Sequence, residues 1–135
     1  MVKLICLLKR KPGMSPEEFH RYWREQHGPL VASTRSASHV IRYEQNHRPL
    51  SDYRDSGSGS GSGSGPGSGS GPGSGSDDSG YDGVTEQWFA SAEEFYASLR
   101  EPDYRLIDDD IPNFLDVASL VFLLTEEAEV VIGQT

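Results

Sequence analysis

VKLICLLKRKPGMSPEEFHRYWREQHGPLV, residues 2–31, decides the reading of this chain. Its opening, Val2 to Lys9, reads as a buried strand. Leu4, Cys6 and Leu8 alternate with Ile5 and Leu7, so both faces of the strand are apolar and both need cover. Lys11-Pro12-Gly13 breaks the strand. A helix start follows: Ser15 as N-cap, Pro16 at the first helical position, and Glu18 closing a capping box. Phe19, Trp23 and Leu30 fall on one stripe of that helix, away from Arg21, Arg24 and Glu25. Gly28-Pro29 predicts a kink or an end near His27, because the proline ring clashes with the carbonyl one turn back.

Working outward, His39 to His47 alternates as a half-polar strand, with His39, Ile41 and Tyr43 on one side. Tyr81 to Phe89 carries the next strand signal. Ser91 as N-cap, with Glu94 closing a second capping box, starts a second helix whose buried face is Phe95, Tyr96 and Leu99; Pro102 stops it. Tyr104 to Leu115 is short and acidic. Ser119 to Thr125 is a last strand, apolar on both faces, and Val130 to Ile132 suggests a short arm. The order is βαββαβ: an α+β, ferredoxin-like arrangement with two helices on one face of a four-stranded antiparallel sheet. Two helices cover one face only. The economical cover for the other is a second copy, so the pattern predicts a homodimer.

Residues 56–76 are only Gly, Ser and Pro. The expectation is one domain over 1–135 with a flexible insertion there, between the second and third strands. A coil of that length spans roughly 25 Å and carries no side chain for chemistry. Twelve Lys and Arg against 21 Asp and Glu give a net charge of −9, which argues against nucleic acid and against anionic membrane surfaces. No stretch matches a membrane span, and the apolar start is too short for a signal peptide. The expected setting is cytoplasmic. A single cysteine, Cys6, excludes an internal disulfide and reads as a small buried hydrophobe. No phosphate-binding glycine motif, G-x-S-x-G elbow or C-x-x-C is present.

The opening segment resembles the EthD domain family: a strand, a K-x-G-M-S/T turn, then Phe19, Tyr22, Trp23, His27, Pro29 and Leu30. Tyr81-Asp82-Gly83, Trp88-Phe89, Asp110 and Phe114 extend the resemblance over about 1–50 and 80–132. The Gly/Ser/Pro run departs from it, since relatives carry a mixed-sequence loop there. The resemblance implies a dimeric α+β barrel. It also implies a cofactor-independent enzyme acting on a hydrophobic aromatic or polyketide-like compound, by dehydration, decarboxylation, isomerisation or oxygenation. The alternative it leaves open is a non-catalytic ligand-binding or accessory protein.

Two readings stand for His27. A titratable ring at the edge of an apolar wall suits proton transfer near neutral pH; a helix-end histidine bonded to a carbonyl is the plainer one. Asp110 either orients a histidine or caps the turn before Pro112. The expected catalytic residues are His27 and Asp110. Phe19, Trp23, Tyr43, Trp88 and Phe114 are the aromatics expected to line a ligand space between helices and sheet, or to be plain core. His20, His39 and His47 read as exposed. No metal and no cofactor are expected, since two imidazoles seven residues apart do not make a metal site. Arg42, Glu44 and Glu86 suggest a cross-strand ion pair.

Overall fold

β1 (Val2–Leu8) is the strand on which the sheet is assembled. It pairs antiparallel with β3 (Gly83–Phe89) on one side and β4 (Val121–Glu126) on the other. β2 (Arg42–His47) adds to β3, giving the order β2-β3-β1-β4, the ferredoxin-like sheet predicted from the element order. The computed structural model describes residues 1–53 and 80–133. The Gly/Ser/Pro run at 56–76, expected to be a flexible connector, lies outside the described residues.

The predicted helix start is present: α1 (Pro16–Tyr22) has Ser15 accepting from the Glu18 amide while Glu18 accepts from that of Ser15. Past Tyr22 the helix widens. Trp23–His27 forms a π turn, with the Gly28 N–H bonding back to the Trp23 carbonyl, and α2 (Gly28–Ala32) continues from it. Pro29 has no N–H for the carbonyl of Glu25, and the wide turn removes the demand for one. The chain is redirected at the predicted point without ending.

The second crossover holds two helices, not one. α3 (Ala92–Arg100) is capped by Ser91 as predicted, but Glu94 turns its carboxylate to His39 instead of closing a capping box, and α4 (Tyr104–Asp110) occupies the acidic stretch, followed by a 3-10 turn at Ile111–Asn113. Phe95 packs on Phe89 at 5.3 Å, but Tyr96 and Leu99 are exposed, because a nine-residue helix turns only a narrow face inward. β2 starts at Arg42. The expected strand residue His39 instead ends a 3-10 turn, Ser36–His39, fastened by Asp103 accepting from the Arg35 and Ser36 amides and by Ser36 Oγ donating to the Ser98 carbonyl. Val130 to Ile132 is highly exposed and adds no strand.

Leu4, Cys6 and Leu8 face the helices and form one core with Phe19, Trp23, Phe89, Phe114 and Leu115. Cys6 is buried and unpaired with another cysteine, and burial pushes its thiol up to about 11. Gly83 is required by close approach: a Cβ there would lie 2.4 Å from the Trp23 ring. At the same end Asp82, fully buried, accepts from the Arg10 amide at 2.8 Å and its guanidinium at 2.7 Å, tying β1 to β3. The opposite sheet face is open. Trp88 lies there between Lys3 and Arg42, and Lys3 pairs with Glu86 at 3.2 Å. Arg42 pairs with Glu44 along its own strand, in place of the expected cross-strand partner. Ile5 and Leu7 are half-buried on this face, and Val121 and Leu123 are exposed.

Gly83→Ala is expected to cost about 1–3 kcal/mol through overpacking against Trp23. The check is the denaturant midpoint; an unchanged midpoint would contradict the contact. A second expectation concerns His39, whose ring bonds Glu101 at 2.7 Å and Glu94 at 2.8 Å. These carboxylates hold its pKa above the ordinary imidazole value. The clip therefore stabilises the fold fully on the acid side and fades as pH rises through the raised value. The wild-type advantage in thermal midpoint over His39→Gln should shrink from about pH 5.5 to 8, and an advantage that grew would oppose this.

Candidate functional site

The wide turn and the end of α4 bring two expected residues together across 83 positions of sequence: His27 Nδ1 lies 2.8 Å from Asp110 Oδ2. Both side chains are buried. Asp110 Oδ1 accepts from the Tyr22 hydroxyl at 2.5 Å and from Asn113 Nδ2 at 2.9 Å. Burial pushes the Asp110 carboxyl up, but the bonds from Tyr22, Asn113 and His27 outweigh it and hold the group below its usual range. Burial lowers the His27 pKa, with Asp110 pulling part of the way back. At neutral pH the pair is thus an ionised carboxylate and a neutral imidazole. An ionised carboxylate only accepts, so Nδ1 carries the hydrogen and Nε2 keeps its lone pair.

The ring of His27 lines a cavity of about 780 Å³ between the helices and the β1 face bearing Leu4 and Cys6. Trp23, Phe114 and Tyr43 are also in its wall, joined by Thr85 and Gln87 from β3. Of the aromatics expected there, two stand elsewhere. Phe19 is fully buried behind the wall, stacked on Phe114 at 5.8 Å. Trp88 is on the open sheet face, because its register partners are Lys3 and Arg42.

His20 and His47 depart from their expected exposure. His20 is buried, and its Nδ1 lies 2.7 Å from His47 Nδ1. They sit in a chain of polar contacts. Tyr53 donates to Asp82 at 2.5 Å, His20 Nε2 is 2.9 Å from the Tyr53 oxygen, and His47 Nε2 is 2.8 Å from Gln45 Oε1. Gln45 Nε2 then donates to the Trp23 carbonyl at 3.0 Å and to the Tyr43 hydroxyl at 3.2 Å. Burial lowers both imidazoles, His47 to about 4. Among the described residues no three His, Cys, Asp or Glu side chains form a metal-binding group, and no helix is long and apolar enough to cross a membrane.

Sequence reasoning missed Tyr22, Asn113 and Gln45 as members of these networks. Tyr22 sits five residues before His27, a spacing that shares a face only when a wide turn intervenes. Asn113 follows Asp110 by three, within reach of one helical turn. Gln45 gave no signal beyond its place near Tyr43 on an alternating strand.

Among solved structures, the fold is similar to that of an EthD-like protein from Ralstonia eutropha, at 20% identity and a TM-score of 0.59, covering 99% of this chain and 95% of that one. It is also similar to a dimeric ferredoxin-like protein of unknown function from Thermobifida fusca, at 16% identity and 0.54, covering 93% and 90%. A third likeness is to SnoaB, a cofactor-independent oxygenase from Streptomyces nogalater, at 9% identity and 0.55, covering 96% and 95%. No curated protein matches the sequence. The family model for the EthD domain matches residues 11–118, which take in α1, the wide turn with His27, and Asp110: this chain belongs to the EthD domain family.

Proposed function

We propose that this protein is a cofactor-independent enzyme that moves a proton on a hydrophobic, aromatic or polyketide-like compound held in the cavity. The observation that carries the reading is the His27–Asp110 pair in the wall of a largely apolar cavity. A binding protein needs no buried titratable group facing its ligand, whereas His27 is one. Its Nε2 accepts a proton from the ligand, and the imidazolium that forms is stabilised by the carboxylate already bonded to Nδ1. The ring then returns the proton to another carbon, completing an isomerisation, or to a departing hydroxyl, completing a dehydration. The fold likeness to SnoaB fits chemistry carried out by side chains alone.

The assembly proposed with it is a homodimer formed through the open sheet face, with Ile5, Leu7, Val121 and Leu123 at its centre. The likeness to a dimeric ferredoxin-like protein supports this, as does the apolar strip that β1 and β4 leave uncovered.

Deuterium uptake from heavy water into a panel of hydroxylated anthrones and naphthalenones tests the chemistry. Wild type is expected to label at least one compound, and His27→Ala to slow that labelling by about 10²–10⁴-fold. Equal labelling by both proteins would remove His27 from the reaction. The reaction needs neutral His27, so the rate should rise with pH and level off below the ordinary imidazole value, in keeping with the lowered pKa. Asp110→Asn removes a group that raises that pKa, so the rising limb should move to still lower pH with a lower plateau; a shift upward would contradict the pairing. Light scattering tests the assembly: wild type should run at twice the chain mass and Leu7→Arg at the chain mass, and a monomeric wild type would refute the dimer.

A further inference from the structure

Gln45 fixes the direction of a hydrogen bond that reaches the cavity. The Trp23 carbonyl can only accept, so the end of the Gln45 side chain 3.0 Å from it is the amide nitrogen. Gly28 makes room for it, since a Cβ there would lie 2.9 Å from that nitrogen. The amide oxygen therefore faces His47 Nε2, which must donate, and this leaves His47 Nδ1, 2.7 Å from His20 Nδ1, without a hydrogen. The second hydrogen of the Gln45 amide goes to the Tyr43 hydroxyl. The Trp23 indole N–H is buried and without a hydrogen-bond partner among the described residues. The Tyr43 oxygen thus receives, and its own hydrogen meets no acceptor among the described residues. Tyr43 is in the cavity wall, as is His27.

We propose that Tyr43 donates its phenolic hydrogen to a carbonyl oxygen of the ligand, so that the cavity takes ketones with a hydrogen on the adjacent carbon. The inference rests on the proton-transfer reading of His27 and supplies what that reading lacks, a group to receive the charge. In the step, the C–H bond beside the carbonyl breaks and its proton goes to His27 Nε2. The electron pair becomes the C=C bond of an enolate, whose oxygen accepts from Tyr43. Return of the proton to carbon or oxygen restores His27. Burial keeps Tyr43 protonated well beyond neutral pH, so it remains a donor. Gln45 is a positioning residue: it never meets the ligand but decides which way the Tyr43 hydroxyl points.

The test compares 1-tetralone with tetralin, a hydrocarbon of the same ring size without the oxygen. Dissociation constants are measured by ligand-observed NMR for wild type, Tyr43→Phe, Gln45→Met and His27→Ala. Wild type should favour the ketone by about tenfold, the value of one hydrogen bond. Tyr43→Phe should bind both compounds alike, Gln45→Met should keep only part of the preference, and His27→Ala should keep all of it. A wild type without preference, or a Tyr43→Phe protein that retains it, overturns the proposal. If the ketone preference depends on Tyr43 while deuterium uptake is the same with and without His27, the base has failed and the donor stands.

Discussion

A proline two residues past a histidine sets the geometry of this protein. Pro29 cannot donate to the carbonyl one turn back, and a regular helix through it would leave that carbonyl unpaired and crowded. The chain answers with the π turn at Trp23–His27, closed by Gly28 on the Trp23 carbonyl. One extra residue in a turn rotates the downstream helix by about 100°. The turn lets Tyr22 and His27 approach the same carboxylate while Trp23 stays in the core. The same carbonyl also takes the Gln45 amide, so the local distortion that presents His27 is the anchor that orients the opposite wall.

Charge at the site derives from that packing. Asp110 is buried yet ionised because three donors surround it, and the histidine it faces is neutral because burial outweighs one carboxylate. Such a pair is poised to gain a proton at Nε2 with little rearrangement, since the ring is already oriented at Nδ1. Just past the end of β1, Arg10 and Asp82 share a buried ion pair, and removing Arg10 would leave a fully buried carboxylate without its guanidinium. That pair fixes the loops entering α1 and β3, and through Tyr53 it holds His20 and the chain leading to Gln45.

Sequence patterns carried the fold further than the site. The Ser15 and Ser91 caps, the apolar runs of β1 and β4 and the break at Pro29 are local signals, and each corresponds to an observed feature. The α4 helix is hidden in sequence because Asp108, Asp109 and Asp110 between two prolines resemble a loop, and its helicity comes from packing against α2 and α3. Trp88 and Phe89 are adjacent aromatics on one strand, so one must face in and one out. Composition does not say which; pairing with Lys3 and Arg42 does. The bond between His27 and Asp110 shows Asp110 orienting a histidine rather than capping the next turn, and His27 bonded to a carboxylate rather than to a carbonyl. The contact between His20 and His47 spans 27 positions and two different elements, a tertiary fact with no local signature.

The central claim is the state of one imidazole. Long-range proton–nitrogen NMR on uniformly labelled protein at neutral pH reports which ring nitrogen of His27 carries hydrogen. A neutral ring with its hydrogen on Nδ1 is the result this account requires, because Asp110 accepts there and Nε2 is left for the ligand. A ring with its hydrogen on Nε2, or an imidazolium at that pH, would contradict it.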